Sequence, residues 1–276
     1  MQHLDLLGAS IPVLGLGTWD LKGDNAYRMT KAMLDHGYTH IDTAQAYDNE
    51  DQIGRGIKRS DIDREQLFLT TKVWHTNYTE DKFIPSVEES LRKLKTDYVD
   101  LLLLHWPHGE MPISDYLGHL VRAQERGMAR YIGVSNFLPE QVHEVFSLGA
   151  TIVTNQVEYH PYLNQDPVHQ VLQEYNIALT AYSPLGRGEV MQDEVLQDIG
   201  SRYGKSAAQV ALRWLLQQPD VIAVPKTKSV AHLMSNFDVF DFELSGEEMD
   251  AISELRRRND KMVDPDFAPD WEYQSY

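Results

Sequence analysis

The sequence predicts an α/β fold in which eight parallel strands alternate with helices and close into a (β/α)8 (TIM) barrel. Three observations predict it. Short runs rich in Val, Ile and Leu recur eight times, at residues 14–17, 39–42, 67–73, 99–104, 131–135, 152–158, 178–182 and 221–224. They do not alternate strictly with polar residues, as expected of parallel strands buried on both faces. The spacing of the eight units over 276 residues is even, near the ~30 residues that a strand–helix–strand unit needs and in keeping with a barrel of ~250 residues. A doubly wound open sheet is the rival arrangement; the even spacing favours closure.

The remaining elements are taken in chain order. Residues 3–7 and 11–13 flank Gly8-Ala9-Ser10 and predict an N-terminal β-hairpin that plugs one barrel mouth. Residues 25–36 carry Ala26, Met29, Met33 and Leu34 at helical spacing and stop at Gly37, a residue suited to the left-handed position past a helix end. Residues 85–95 bury Val87, Leu91 and Leu94, with Glu88–Arg92 and Glu89–Lys93 four apart. Residues 139–148 end before Gly149, and 167–175, 206–217 and 247–257 also read as helices. The tail from Lys261, with Pro265, Phe267, Pro269 and Trp271, has no period and is expected to pack as a loop. No low-complexity linker divides the chain, so residues 1–276 are expected to form one barrel domain.

Composition narrows the function. Lys and Arg number 25 against 42 Asp and Glu, a net charge of −17. Such a surface repels phosphate backbones and anionic lipid, so neither nucleic acid nor a membrane is an expected partner, and an anionic ligand requires a local basic pocket. The absence of cysteine excludes a disulfide framework, a thiol nucleophile and thiolate metal ligation. The N-terminus lacks a basic stretch followed by an apolar core, and no apolar run approaches the ~20 residues of a membrane span. A cytoplasmic location is expected. With no sustained heptad pattern, so is a monomer.

Barrel active sites lie at the carboxyl ends of the strands, and polar residues collect there. Asp42 ends the second run, with Tyr47 five residues on; Lys72 is near the end of the third; His105 follows the fourth. Ser135-Asn136, Gln156, Tyr182-Ser183 and Lys226-Thr227 mark later ends, and Trp19, Trp74 and Trp106 stand beside three of them. Taken singly, each has an ordinary reading: Asp42 as a helix cap, Lys72 as a solvated charge, Tyr47 as loop packing, His105 as a core histidine. Together they make a site. A phenol has a pKa of ~10. A nearby ammonium is expected to lower it, so that tyrosine works as an acid or base nearer neutrality. A carboxylate holds the lysine, and a histidine donates to a carbonyl oxygen that gains charge. This is equipment for carbonyl reduction without a hydride source, which a cofactor must bring. Spacing alone also permits a metal site, with His40 and Asp42, His105 and His108, and Glu158 and His160 as ligand pairs.

The residues resemble those of the aldo-keto reductases over nearly the whole chain. GYTHIDTAQAYDNEDQIG (37–54), RYIGVSNF (130–137) and VPKTKSVAHLMSN (224–236) resemble the three signatures of that family. GLGTW (15–19), LLLLHWP (101–107) and NQVEYHPY (155–162) add to them, and the compact loops are similar to those of bacterial 2,5-diketo-gluconate reductases. The resemblance implies a catalytic set of Asp42, Tyr47, Lys72 and His105, with Tyr47 as general acid. It implies that Trp19, Trp74 and Trp106 line the substrate pocket together with Tyr47 and His105. It implies nicotinamide stacking on Tyr182, with the carboxamide held by Ser135, Asn136 and Gln156. Ser183 and Leu185 are implied near the pyrophosphate, Lys226 and Thr227 at the adenosine 2′-phosphate, and Thr18, Trp19, Asp42, His232 and Asn236 among the other cofactor contacts. No metal is implied, and the partner is a small-molecule carbonyl compound.

Two departures stand out. His232 replaces an arginine, and neutral imidazole cannot form the bidentate guanidinium–phosphate clamp. NADPH remains the expected cofactor because Lys226 and Thr227 are kept, with NADH use left open. The segments after His105 and after Ser183 are short, which predicts an open pocket and easy cofactor exchange; Glu189 is a candidate latch for the second segment. Two other functions stay open from sequence: a cofactor-binding regulatory barrel with little turnover, and a metal-dependent hydrolase or isomerase.

Overall fold

Eight parallel strands form the centre of the computed structural model, which describes residues 2–271. They are β3 (Leu16–Gly17), β4 (His40–Asp42), β5 (Phe68–Val73), β6 (Val99–Leu104), β7 (Ala129–Ser135), β8 (Thr154–Glu158), β9 (Ala178–Tyr182) and β10 (Val221–Ala223), hydrogen-bonded in sequence order. The ring closes where Gly15 N donates to Ala223 O at 2.9 Å, Ala223 N to Val13 O at 2.9 Å and Gly17 N to Pro225 O at 3.0 Å. The seam needs glycine at position 17, because a Cβ there would run into the Val224 carbonyl. Strands β4, β5, β6, β8 and β10 are buried along their whole length. In β6 and β10 apolar side chains account for this, each fully buried Val, Leu or Ile contributing roughly 1.5–3 kcal/mol; in the polar β8, Thr154 and Gln156 are instead held by hydrogen bonds to Ala178 O and Asp42.

Helices follow the strands on the outside. They are α1 (Gly23–Asp35), α2 (Glu50–Lys58), α3 (Phe83–Leu94), α4 (Ile113–Glu125), α5 (Pro139–Ser147), α6 (Asp166–Glu174), α7 (Glu194–Tyr203), α8 (Ala207–Gln217), α9 (Val230–Phe237) and α10 (Gly246–Ser253). Their starts have local chemical causes. The Asp193 carboxylate accepts from Val195 N and Leu196 N ahead of α7. Ser206 with Gln209, and Ser245 with Glu248, form reciprocal capping boxes ahead of α8 and α10. On α3, Lys93 lies 3.8 Å from Glu89, but Arg92 also turns to Glu89, at 2.7 Å, rather than to Glu88 as expected. The expected helix over 247–257 ends at Ser253 and tightens into a 3-10 turn, Glu254–Arg258.

The N-terminal hairpin, β1 (His3–Leu6) paired with β2 (Ala9–Pro12), turns at Leu7-Gly8 and closes the amino end of the barrel. Ala9 and Ile11 pack with Phe68, Leu101, Leu103 and Ile222. The Tyr131 hydroxyl donates to Gly8 O at 2.7 Å. With that end stoppered, the carboxyl end is the one left to hold a ligand. The tail beyond Arg258 is irregular, as expected, through Trp271; its last five residues lie outside the described ones.

Candidate active site

Strand register brings the charged residues together. Asp42 ends β4 opposite Thr70 of β5, so Lys72 is two residues further along on the same face. The Lys72 ammonium, wholly buried, meets Asp42 Oδ1 at 2.6 Å, Thr43 O at 3.0 Å and the Tyr47 hydroxyl at 3.3 Å. Three donors meet three oxygens, as a buried charge requires. The other oxygen of Asp42 accepts from Gln156 Nε2 at 2.7 Å. Tyr47 rides on a 3-10 turn, Gln45–Tyr47. Gln45 fixes that turn to β5 and α3, accepting from Trp74 N at 3.0 Å and donating to Ser86 O at 3.1 Å.

Burial sets the titration of these groups. It pushes the Tyr47 phenol upward, with Lys72 pulling the other way and Asp42 adding to the rise. The expected lowering of Tyr47 by Lys72 is therefore real as a contribution but outweighed by desolvation, and the phenol stays protonated across neutrality. Burial opposes the charge on Lys72, yet Asp42 and Tyr47 outweigh it and raise the ammonium above its usual range. His105 is driven well below the ordinary imidazole value by burial, with the Lys72 and His75 charges adding to the shift. Its ring packs edge-on to Tyr47 at 5.5 Å and to Trp74 at 5.2 Å, and its buried Nδ1 has no hydrogen-bond partner among the described residues.

A cavity of about 390 Å³ opens over this set. Of the residues expected from sequence, it is lined by Thr18, Trp19, Asp42, Tyr47, Trp74, His105, Trp106, Ser135, Asn136, Gln156, Tyr182, Ser183 and Lys226. Lys72 lies beneath them. The polar side chains are tied to one another. Ser135 Oγ donates to Gln156 O at 2.8 Å, Asn136 Nδ2 to His105 O at 3.1 Å, and the Tyr182 hydroxyl to Asn136 Oδ1 at 2.8 Å.

Besides Lys72, four expected residues do not line the cavity. Leu185 is half-buried against the core, and Thr227 is buried with its hydroxyl accepting from Ser229 N at 3.1 Å. His232 is exposed in the first turn of α9, and Asn236 is buried in the last turn of that helix. Glu189 does not reach the cavity either; it holds Arg258 at 3.0 Å.

The cavity also has residues that pattern reading missed. Val263, Pro265 and Phe267 come from the tail. Phe267 stands perpendicular to both Trp74 and Trp106, each at 5.5 Å. Arg187, in left-handed backbone between Gly186 and Gly188, brings its guanidinium to 5.6 Å from the Trp19 ring; the Lys226 ammonium is 5.8 Å from the same ring. A glycine pair after a strand end was the available signal for Arg187. The tail offered none beyond its aromatic content. Of the three candidate metal pairs, His40 Nδ1 bonds Pro12 O, Glu158 and His160 bond each other, and His108 Nδ1 accepts from Met111 N at 3.0 Å, while the buried His105 Nδ1 is left without a partner among the described residues. Among the described residues no group of three or more His, Cys, Asp or Glu is arranged to hold a metal ion.

Comparison with known proteins agrees with this picture. The sequence pattern of the Aldo/keto reductase family matches residues 13–257. Methylglyoxal reductase DkgB of Escherichia coli O157:H7 is 39% identical over 268 residues, 95% of this chain and 100% of that protein. A solved structure assigned as 2,5-diketo-D-gluconic acid reductase B superposes with a TM-score of 0.96 at 49% identity, covering 98% of each chain. A Bombyx mori aldo-keto reductase in complex with NADP superposes with a TM-score of 0.89 at 32% identity, covering 95% of this chain and 94% of that one.

Proposed function

The chain belongs to the aldo/keto reductase family, and from that premise we propose that residues 1–276 act as one domain reducing small-molecule aldehydes and ketones to alcohols, with NADPH as hydride donor and NADH as the alternative. The observation that carries this reading is the Lys72 ammonium placed between the Asp42 carboxylate at 2.6 Å and the Tyr47 hydroxyl at 3.3 Å, under a cavity wide enough for a small ligand.

Tyr47 is the proton donor to the carbonyl oxygen. Its raised pKa keeps the proton available at neutral pH. As the proton leaves, the Lys72 ammonium stabilises the phenolate, and Asp42 fixes the lysine, so the field is in place before reaction. His105, held neutral, packs beside Tyr47 and orients the carbonyl.

The residues present fit a nicotinamide. A carboxamide needs a donor and an acceptor, and the Ser135 hydroxyl with the Asn136 and Gln156 amides brings groups of both kinds to the cavity wall. The Tyr182 ring offers a flat face in the same cavity. In a chain of net charge −17, the lining cations Arg187 and Lys226 supply the local positive charge that an anionic cofactor requires. When bound, the nicotinamide supplies the hydride that the protein lacks.

The test is NADPH and NADH oxidation in parallel with 4-nitrobenzaldehyde and a panel of small dicarbonyl compounds. Turnover with either cofactor supports the reading. Tight cofactor binding with no turnover on any carbonyl overturns it in favour of a binding barrel.

A further inference from the structure

The Glu158 carboxylate lies at the carboxyl end of β8, two residues past Gln156, and is wholly buried. Three hydrogen-bond donors and one cation converge on it, and three of these four groups come from the tail. Met262 N donates at 2.8 Å and Val263 N at 2.9 Å, while the Lys261 ammonium approaches to 3.7 Å. The fourth is His160 Nε2 at 3.1 Å. Burial opposes the charge, but His160, Lys261 and the Met262 amide outweigh it and hold the carboxyl below its usual range. The neighbouring Asp260 N donates to Tyr162 O at 2.8 Å, so the tail is stitched to the segment after β8 at consecutive points.

Past this clasp the chain builds the apolar wall of the cavity. Val263, Pro265 and Phe267 line it directly, and Trp271 packs with Trp106 and Leu138 behind it. Phe267 is 40% exposed, so its place against Trp74 and Trp106 is not fixed by its own burial. A segment without helix or strand bonds has to be fixed by other means.

We propose that Glu158 is a positioning residue for the substrate pocket: by gripping the Met262 and Val263 amides it sets the wall formed by Val263, Pro265 and Phe267, and so determines how well a carbonyl compound with a bulky apolar body is held, without touching substrate or cofactor. This deepens the reductase reading and rests on it. A small dicarbonyl that reaches only Tyr47 and His105 is indifferent to the clasp. An aromatic aldehyde that extends to Phe267 is not.

The experiment is Glu158→Gln in the full chain, with two readouts. Gln keeps one carbonyl oxygen but loses the charge and the second acceptor. Amide exchange at Met262 and Val263 accelerates. The KM for 4-nitrobenzaldehyde rises about tenfold, the scale of a lost apolar contact in a pocket, while kcat, the KM for methylglyoxal and the NADPH affinity stay unchanged. Faster exchange with both KM values unchanged, or both rising together, overturns the assignment. Should Glu158→Gln fail to fold, Phe267→Ala with Glu158 intact must raise the KM for the aromatic aldehyde selectively, and an unaltered KM there overturns it equally. A wild-type chain with no turnover on any carbonyl refutes the reductase reading itself, whereas turnover without the selective KM rise refutes the role of Glu158 alone.

Discussion

Replacing Lys72 by Met separates a buried catalytic ion pair from an incidental one. Lys72 has no exposed side-chain surface and Asp42 has 4%. Met fills much the same volume but leaves Asp42 Oδ1 and Thr43 O without their donor, with only Gln156 still holding the carboxylate. Removing one partner of a buried pair costs about 3–5 kcal/mol, because the remaining charge stays desolvated. With a urea slope of about 3 kcal/mol per molar, the unfolding midpoint falls by about 1–1.7 M. The second consequence is chemical. Tyr47, already raised by burial, loses the one neighbour that opposes the rise, so reduction slows by about 10²–10⁴-fold. Urea unfolding followed by fluorescence and NADPH oxidation measure the two effects on the same samples. The double variant Asp42→Asn/Lys72→Met removes both charges and recovers most of the lost stability while leaving turnover low. A midpoint shift below about 0.3 M, the range of an exposed pair, or a double variant no more stable than the single one, would refute the reasoning.

Two further outcomes are expected. Asp20 lies 2.8 Å from the Lys228 ammonium and 3.4 Å from that of Lys226, competing with any anionic ligand for both lysines; Asp20→Asn therefore tightens NADPH binding about two- to fivefold with NADH binding unchanged, read by fluorescence titration of each cofactor. Burial holds the folded His105 imidazole well below its ordinary pKa, which is about 6.5 in an unfolded chain. Below that pH the unfolded chain binds the extra proton, so stability falls as pH falls toward the folded pKa; His105→Gln removes that part of the acid slope in urea midpoints measured across the mildly acidic range.

Much of the barrel was legible because buried parallel strands announce themselves. Residues 99–104 and 178–182 have the boundaries expected from their apolar content. Helix α2 was not legible. Its sequence, EDQIGRGIK, carries two glycines and one apolar face too narrow to show a period. The structure gives the reason for the glycines: a Cβ at Gly56 would meet the Thr30 side chain at 2.7 Å, and one at Gly54 would meet the Lys93 carbonyl. Close helix contact thus erased the local helix signal.

The same contrast runs through the site. Asp42, Lys72 and His105 were visible because strand ends have a fixed place in a barrel. The tail was not, since its position depends on Glu158, a residue more than a hundred positions earlier in the chain. The net direction of the Tyr47 titration was missed for a related reason. The charge of Lys72 can be read from the sequence, but the depth of burial that outweighs it cannot.

The most direct measurement is NADPH oxidation by Tyr47→Phe beside cofactor titration of the same protein. The phenol acts on the substrate oxygen, so turnover is predicted to fall at least about 10²-fold while NADPH affinity stays near that of the unaltered chain. A Tyr47→Phe protein that keeps most of its rate would contradict the assignment of the proton donor.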